Sequence, residues 1–266
     1  MTTELSMADI LARLQASGGK LTEVSASWMQ GRAAFGGLAA ALAVTGMREV
    51  LPEEKTIRSL MVSFVGPVPA GPVTVDARLA RAGRNVSQAS AEVRDGDAVC
   101  VQALAAFGQA RDTESAAATA VFKPEPRDSV PAVAMGPMRP PFLQYFDVHW
   151  TGGGIPLSGS KDRRLGKWVR HKEDLSAWPV ERIVAIADIP PPVMMSHYTK
   201  PVVSSSLSWS LEFVRDPHEV TAEWFYLDYV LEHAADGYSQ QSGTIFTEDG
   251  ELVALSRQCM VYFERG

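Results

Sequence analysis

Two polar side chains stand inside largely apolar runs. Asp188 lies in "IVAIADIPPP", in the last turn of a helix that three prolines stop. The helix macrodipole disfavours negative charge at that end, and a carboxylate buried there needs partners or a raised pKa. As a structural residue it would bond nearby backbone beside the prolines. As a chemical group it would be a general base or would orient an attacking water. Gln258 lies in "LSRQC", within a β-prone run. If Asp249-Gly250 forms a two-residue turn, position 258 faces Gln241. Two amides opposed in an apolar hairpin can simply bond each other, or the pair can serve chemistry.

Other candidates are weaker. Gly36 and Gly37 open a helix, where free backbone N–H groups can stabilise an oxyanion and glycine permits close approach. Tight packing of helix on sheet would use small residues equally well. "GSKDRRLGKWVRHK" gathers Lys161, Arg163, Arg164, Lys167, Arg170 and Lys172 in an acidic chain, either to meet phosphates or as a solvated strand face. Asp228 and His233 in "DYVLEH" are five apart, which on a regular strand points them to opposite faces. No Gly-x-Ser-x-Gly occurs, neither cysteine is placed beside a histidine, and "TGGGIP" is a flexible turn rather than a phosphate loop.

The elements that must hold these residues repeat along the chain. "GRNVSQASAEVRDG" (83–96) lies over "GYSQQSGTIFTEDG" (237–250), and "DGDAVCVQALAAFGQ" over "DGELVALSRQCMVYF", at a constant offset of 154 residues from Asp95 to Asp249. A repeat that long indicates a duplicated small domain. Each copy reads as a helix followed by antiparallel strands. The first helix spans 35–50 and is apolar on nearly every side, so other structure must enclose it. The second follows Ser176, a plausible N-cap, with Pro179 in its first turn. Segments 57–68, 71–83, 203–214 and 222–233 are β-rich, and each Asp-Gly pair marks a hairpin. Residues 111–141, rich in Pro and Ala, form the linker. At offset 154 the counterpart of Gln258 is Leu104, read as a core residue, so an amide would replace Leu in one copy only. A helix wrapped by a curved antiparallel sheet, present twice, is an α+β double hotdog. The expected domains are 1–125 and 126–266, with the candidate residues in the second.

The chain resembles the acyl-CoA thioesterase II family, in its thioesterase-like double-hotdog branch. The first half carries the likeness in "GRAAFGGLAAALA", "VSFVGPV" and "RAGRNVSQASAEVRDGDAVCVQALAAF". The second carries it in "AIADIPPP", "SSSLSWSLEFV", "EWFYLDY" and "TEDGELVALSRQ". The resemblance implies hydrolysis of a fatty acyl-CoA thioester without a covalent intermediate, through a water held by Asp188, Ser206 and Gln258. The family more often has Thr at the hydroxyl position, and Ser204, Ser205 and Ser208 lie within a two-residue register error of Ser206. Gly36, Gly37 and Arg84 are the candidates to bind the coenzyme A ester. No metal or redox cofactor is implied. A non-catalytic acyl-CoA or lipid binder, or a hotdog hydratase, are the alternatives.

Bulk properties agree with a globular protein. The 266 residues are 46% hydrophobic and 21% charged. A net charge of −6 argues against general affinity for nucleic acid or anionic lipid. Cys100 and Cys259 alone make neither a disulfide framework nor a zinc site, which fits a reducing cytoplasm. The first residues lack the basic head and apolar core of a secretory signal. The apolar stretch 33–47 is shorter than the ~18–20 residues a bilayer requires. Paired hotdogs leave sheet surface over, so a homo-oligomer is expected.

Overall fold

The computed structural model describes residues 4–135 and 139–263. The first half contains α1 (Met7–Ala16), β1 (Leu21–Val24), β2 (Met29–Gln30), β3 (Ala33–Ala34), α2 (Gly36–Glu49), β4 (Ile57–Phe64), β5 (Gly71–Ala82), β6 (Val86–Asp95) and β7 (Ala98–Gly108). The second contains β8 (Phe146–Gly152), β9 (Arg164–His171), α3 (Pro179–Ala187), β10 (Val203–Phe213), β11 (Phe225–Ala235), β12 (Tyr238–Thr247) and β13 (Leu252–Phe263). Apart from the small β2–β3 ribbon, the strands form one sheet in the order β1-β5-β6-β7-β4-β10-β13-β12-β11-β9-β8, antiparallel throughout. From the β4–β10 seam outward the order reads alike in both directions, β7-β6-β5 on one side and β13-β12-β11 on the other.

This is the expected double hotdog. Every residue of α2 from Gly37 to Met47 is buried, as its all-round apolar sequence requires. Leu38 and Leu42 are fully enclosed, each contributing about 1.5–3 kcal/mol of burial. α3 packs against α2 and buries all but Pro179 and Arg182. At the seam Trp209 lies opposite Val62 and Leu211 opposite Leu60, so the two halves share one core.

Two expectations need correcting. Ser176 does not cap α3; the helix begins at Pro179 after Trp178, and the Ser176 N–H is bound instead by Asp174 Oδ1 at 2.8 Å. The counterpart of Gln258 is not Leu104, which faces outward and is 53% exposed. Each hairpin has a bulge just after its turn, at Cys100 and at Val253. Matching these bulges gives offsets of 152 residues from Arg94 to Phe246 and 153 from Val99 to Leu252. The opposed pair Gln241–Gln258 therefore corresponds to the opposed pair Ala89–Ala105, all four buried on the inner face. The second turn is longer than two residues, since Phe246 pairs with Leu252; the bulge restores the register that sets Gln241 against Gln258.

The linker is more than a tether. Phe122 packs edge-on against Trp168 and Tyr226 and at a tilt on Phe246, on the outer side of the second half's sheet. Trp168 Nε1 donates to the Glu125 carbonyl at 2.9 Å.

Candidate active site

Asp188 is the residue immediately after α3, with its own N–H on the Ala185 carbonyl. Two features fix the helix end that carries it. Pro190 to Pro192 prevent continuation, and Tyr229 from β11 donates its hydroxyl to the Ala187 carbonyl, one of the orphan acceptors of a helix terminus. Gly243 on β12 makes room for that ring, since a Cβ there would lie 2.4 Å from it.

The carboxyl faces the start of α2. The Gly37 N–H hydrogen-bonds it, and α2 has no side-chain cap at Phe35 to compete. A Cβ on Gly36 would stand 2.7 Å from Asp188 Oδ2, so glycine is required there. The unfavourable end of one helix thus abuts the favourable end of another, and the first half of the chain helps hold a carboxylate of the second. Gln258 Nε2 donates to Asp188 Oδ1 at 2.7 Å. Gln241 Nε2 donates to Gln258 Oε1 at 2.9 Å, and the Val193 N–H donates to Gln241 Oε1 at 2.9 Å. Burial pushes the Asp188 carboxyl up to about 7, against the opposing pull of Gln258 and Gly37. Such a group changes protonation near neutrality, which suits a general base.

A bulge on β10 sorts the serines by face. Trp209 pairs with Gln258 and Ser206 with Met260, with the register shift between Ser206 and Ser208. Cross-strand partners share a face, and Gln258 and Met260 are both buried inward. Ser206 therefore lies on the inner face, one step from the Trp209–Gln258 pair. Ser204, opposite Tyr262, also faces inward, but its hydroxyl contacts Met195 Sδ at 3.7 Å. Ser205 and Ser208 pair with Val261 and Cys259 and point to the outer face.

The structure brings Asp188, Gln258, Gly36 and Gly37 together and sets Ser206 on the same inner face. It places Arg84 elsewhere, exposed in the β5–β6 turn beside Gly83, whose carbonyl receives Lys55 Nζ. With Arg48, Lys55 lines a polar cleft of about 160 Å³ at the end of α2 remote from Gly36. The 14-residue helix separates its two ends by about 20 Å. A groove of about 640 Å³, lined by Met61, Leu104, Ser208 and Arg257 among others, lies over the outer face of the sheet and includes neither Asp188 nor Ser206.

Most of the basic cluster has protein partners. Arg164 forms a two-pronged ion pair with Asp228, Arg170 binds Asp147, and Arg163 donates to the Leu231 and Glu232 carbonyls. Lys167 is buried over the Trp150 ring at 4.3 Å, and desolvation lowers its amine to about 7. Asp228 and His233 share the outer face rather than opposing it, because the register shifts between Leu231 and His233. Asp228 is nevertheless held by Arg164 on the opposite side of the sheet from Asp188, so the hydratase pairing gains nothing. Sequence reasoning missed Val193, Tyr229 and the glycine beneath it; "WFYLDY" carries no mark that its last ring would clamp a helix.

Two helices wrapped by one continuous antiparallel sheet define a double-hotdog protein. The chain belongs to the acyl-CoA thioesterase family: the profile of the family's N-terminal domain matches residues 24–108 and that of its C-terminal domain residues 117–262. Among solved structures it is similar to a hot dog fold protein of unknown function from Alicyclobacillus acidocaldarius, with a TM-score of 0.82 and 20% identity over 92% of this chain and 93% of that one. It is also similar to the tesB protein of Mycobacterium avium subs paratuberculosis (TM-score 0.79, 17% identity, 97% and 100% covered). Acyl-CoA thioesterase II TesB2 from Mycobacterium marinum is a further neighbour (TM-score 0.72, 19% identity, 92% and 93% covered). These likenesses concern the fold. No curated protein matches the chain. No helix among the described residues is long and apolar enough to cross a membrane.

Proposed function

We propose that the protein hydrolyses acyl-CoA thioesters to a free acid and coenzyme A by direct attack of water. The observation that carries this reading is the 2.7 Å hydrogen bond from Gln258 to Asp188 at the junction of α3 and α2, in a chain of this family. Asp188 accepts a proton from water as the water oxygen bonds to the thioester carbonyl carbon. Gln258 orients the carboxylate, and the Ser206 hydroxyl holds the water from the facing strand. The carbonyl oxygen becomes an oxyanion, which N–H groups at the start of α2 stabilise. The Gly37 N–H faces Asp188, and the Gly36 N–H is assigned that task. Collapse of the tetrahedral intermediate breaks the carbon–sulfur bond, and the departing thiolate takes the proton from Asp188.

A screen of acyl-CoA esters of increasing chain length, followed by thiol release, tests the proposal. Release by the parent protein and its loss in Asp188→Asn support it. Binding of acyl-CoA with thiol release at background in both proteins would instead make the chain a binder.

A further inference from the structure

The order of donors and acceptors behind Asp188 is fixed from one end. We infer that Gln241 is a positioning residue that sets the direction of the amide chain and so holds Gln258 as a hydrogen-bond donor toward Asp188. This rests on the reading of Asp188 as the base. A side-chain amide is nearly symmetric in shape, so packing alone does not choose between its oxygen and its nitrogen. A backbone N–H has no such freedom, because it can only donate. The Val193 N–H, 2.9 Å from Gln241, requires an oxygen there. That places Gln241 Nε2 toward Gln258, requires Gln258 Oε1 to receive it at 2.9 Å, and leaves Gln258 Nε2 for the carboxylate at 2.7 Å. Reversing either amide would oppose two donors or two acceptors. Gln241 and Gln258 are 1% and 3% exposed, so solvent does not relieve the mismatch.

The surroundings add little charge to this arrangement. Gly36 and Gly37 from α2 face the carboxyl, Phe64 from β4 packs beside Gly36, and none of them is ionisable. Tyr229 from β11 is the titratable neighbour; burial holds its hydroxyl far above the usual phenol range, and it is committed to Ala187. Protonation of Asp188 is therefore governed by burial and by two neutral donors, one of which Gln241 orients. Ala89 occupies the matching place in the first half, where there is no amide to direct.

The test compares Gln241→Met, Gln258→Met and the double variant, reading the Asp188 carboxyl by carbon NMR titration and thiol release against pH. Met keeps the length of the side chain and removes the amide. In Gln241→Met we expect the Asp188 midpoint to rise by about one pH unit, as Gln258 is released to turn its oxygen inward. At pH 7 this lowers kcat about fivefold with KM unchanged, and the rate is recovered near pH 9. Gln258→Met raises the midpoint at least as far, and adding Gln241→Met to it changes nothing more. An unmoved midpoint in Gln241→Met, or additive effects in the double variant, overturns the inference. A second measurement needs no variant: in the parent protein the side-chain amide protons of Gln258 should shift as Asp188 titrates, and indifference to that titration overturns the inference equally. If the parent releases no thiol, the hydrolase reading fails, while the NMR titration still judges Gln241.

Discussion

The two junctions between α2 and α3 have the same architecture and opposite chemistry. At one, the start of α2 meets Asp188 just beyond the end of α3. At the other, the first turn of α3 meets the last turn of α2, and fully buried Glu181 accepts both oxygens' worth of hydrogen bonds from Arg48 at 3.1 Å, with Thr45 Oγ1 at 3.2 Å. Behind the first junction stand Gln241 and Gln258; in the matching place in the first half stand Ala89 and Ala105. A carboxylate answered by a guanidinium is a fixed joint, whereas one answered only by neutral donors can gain and lose a proton near neutral pH. Duplication supplied two similar frames, and the difference in partners separates a joint held by a cation from one held by neutral donors alone.

The largest expected effect comes from removing the charge at the Asp188 joint. Asp188→Asn should lower the rate of thiol release roughly a hundred- to ten-thousandfold yet raise the melting temperature at pH 8. The sign follows from the shift. The folded-state value of about 7 exceeds an unfolded value of about 3.9, so the folded protein binds the extra proton between them. Stability therefore falls as pH rises from about 4 to about 7, and the amide removes that loss. Melts at pH 5 and pH 8 should show the gain mainly at the higher pH; destabilisation at pH 8 would contradict the burial argument. At the structural joint the effect is the reverse. Arg48→Met leaves Glu181 without its cation and should cost about 3–5 kcal/mol in urea unfolding, with turnover per folded molecule preserved.

Two smaller effects sharpen the contrast. Below about pH 7 the parent's kcat should fall about tenfold per pH unit, following the raised Asp188 carboxyl; a flat profile down to pH 5 would remove Asp188 as base. Ser206→Ala should slow turnover by about tenfold through loss of one hydrogen bond to water, whereas Ser208→Ala, on the outer face, should leave it within about twofold. Equal losses in both would mean that the β10 bulge does not select the hydroxyl.

The duplication, both helices and the hairpins were legible because they depend on apolar periodicity and Asp-Gly turns, which residue types display directly. Asp188 was legible because a carboxylate before three prolines is anomalous. What escaped were the consequences of bulges. A strand's face alternates with every residue, so one unpaired residue inverts all that follow. That single effect left four serines open and separated Asp228 from His233 for the wrong reason. Nothing in the side chains near Leu207, Glu232 or Val253 announces where pairing slips; hydrogen bonding across neighbouring strands decides it. The longer second turn hid the correspondence between Ala105 and Gln258 by the same means.

Phe122 settles on Trp168, Tyr226 and Phe246 while outward side chains of the first half beside the seam, such as Met61 on β4 and Leu104 on β7, stay uncovered. The chain thereby roofs one of its two wings with its own connecting segment. Any companion stacking on this sheet meets a bare wing and a roofed one, so the near-mirror order of the strands does not extend to the outside of the molecule. Symmetry inherited from duplication ends where the connecting segment lies down.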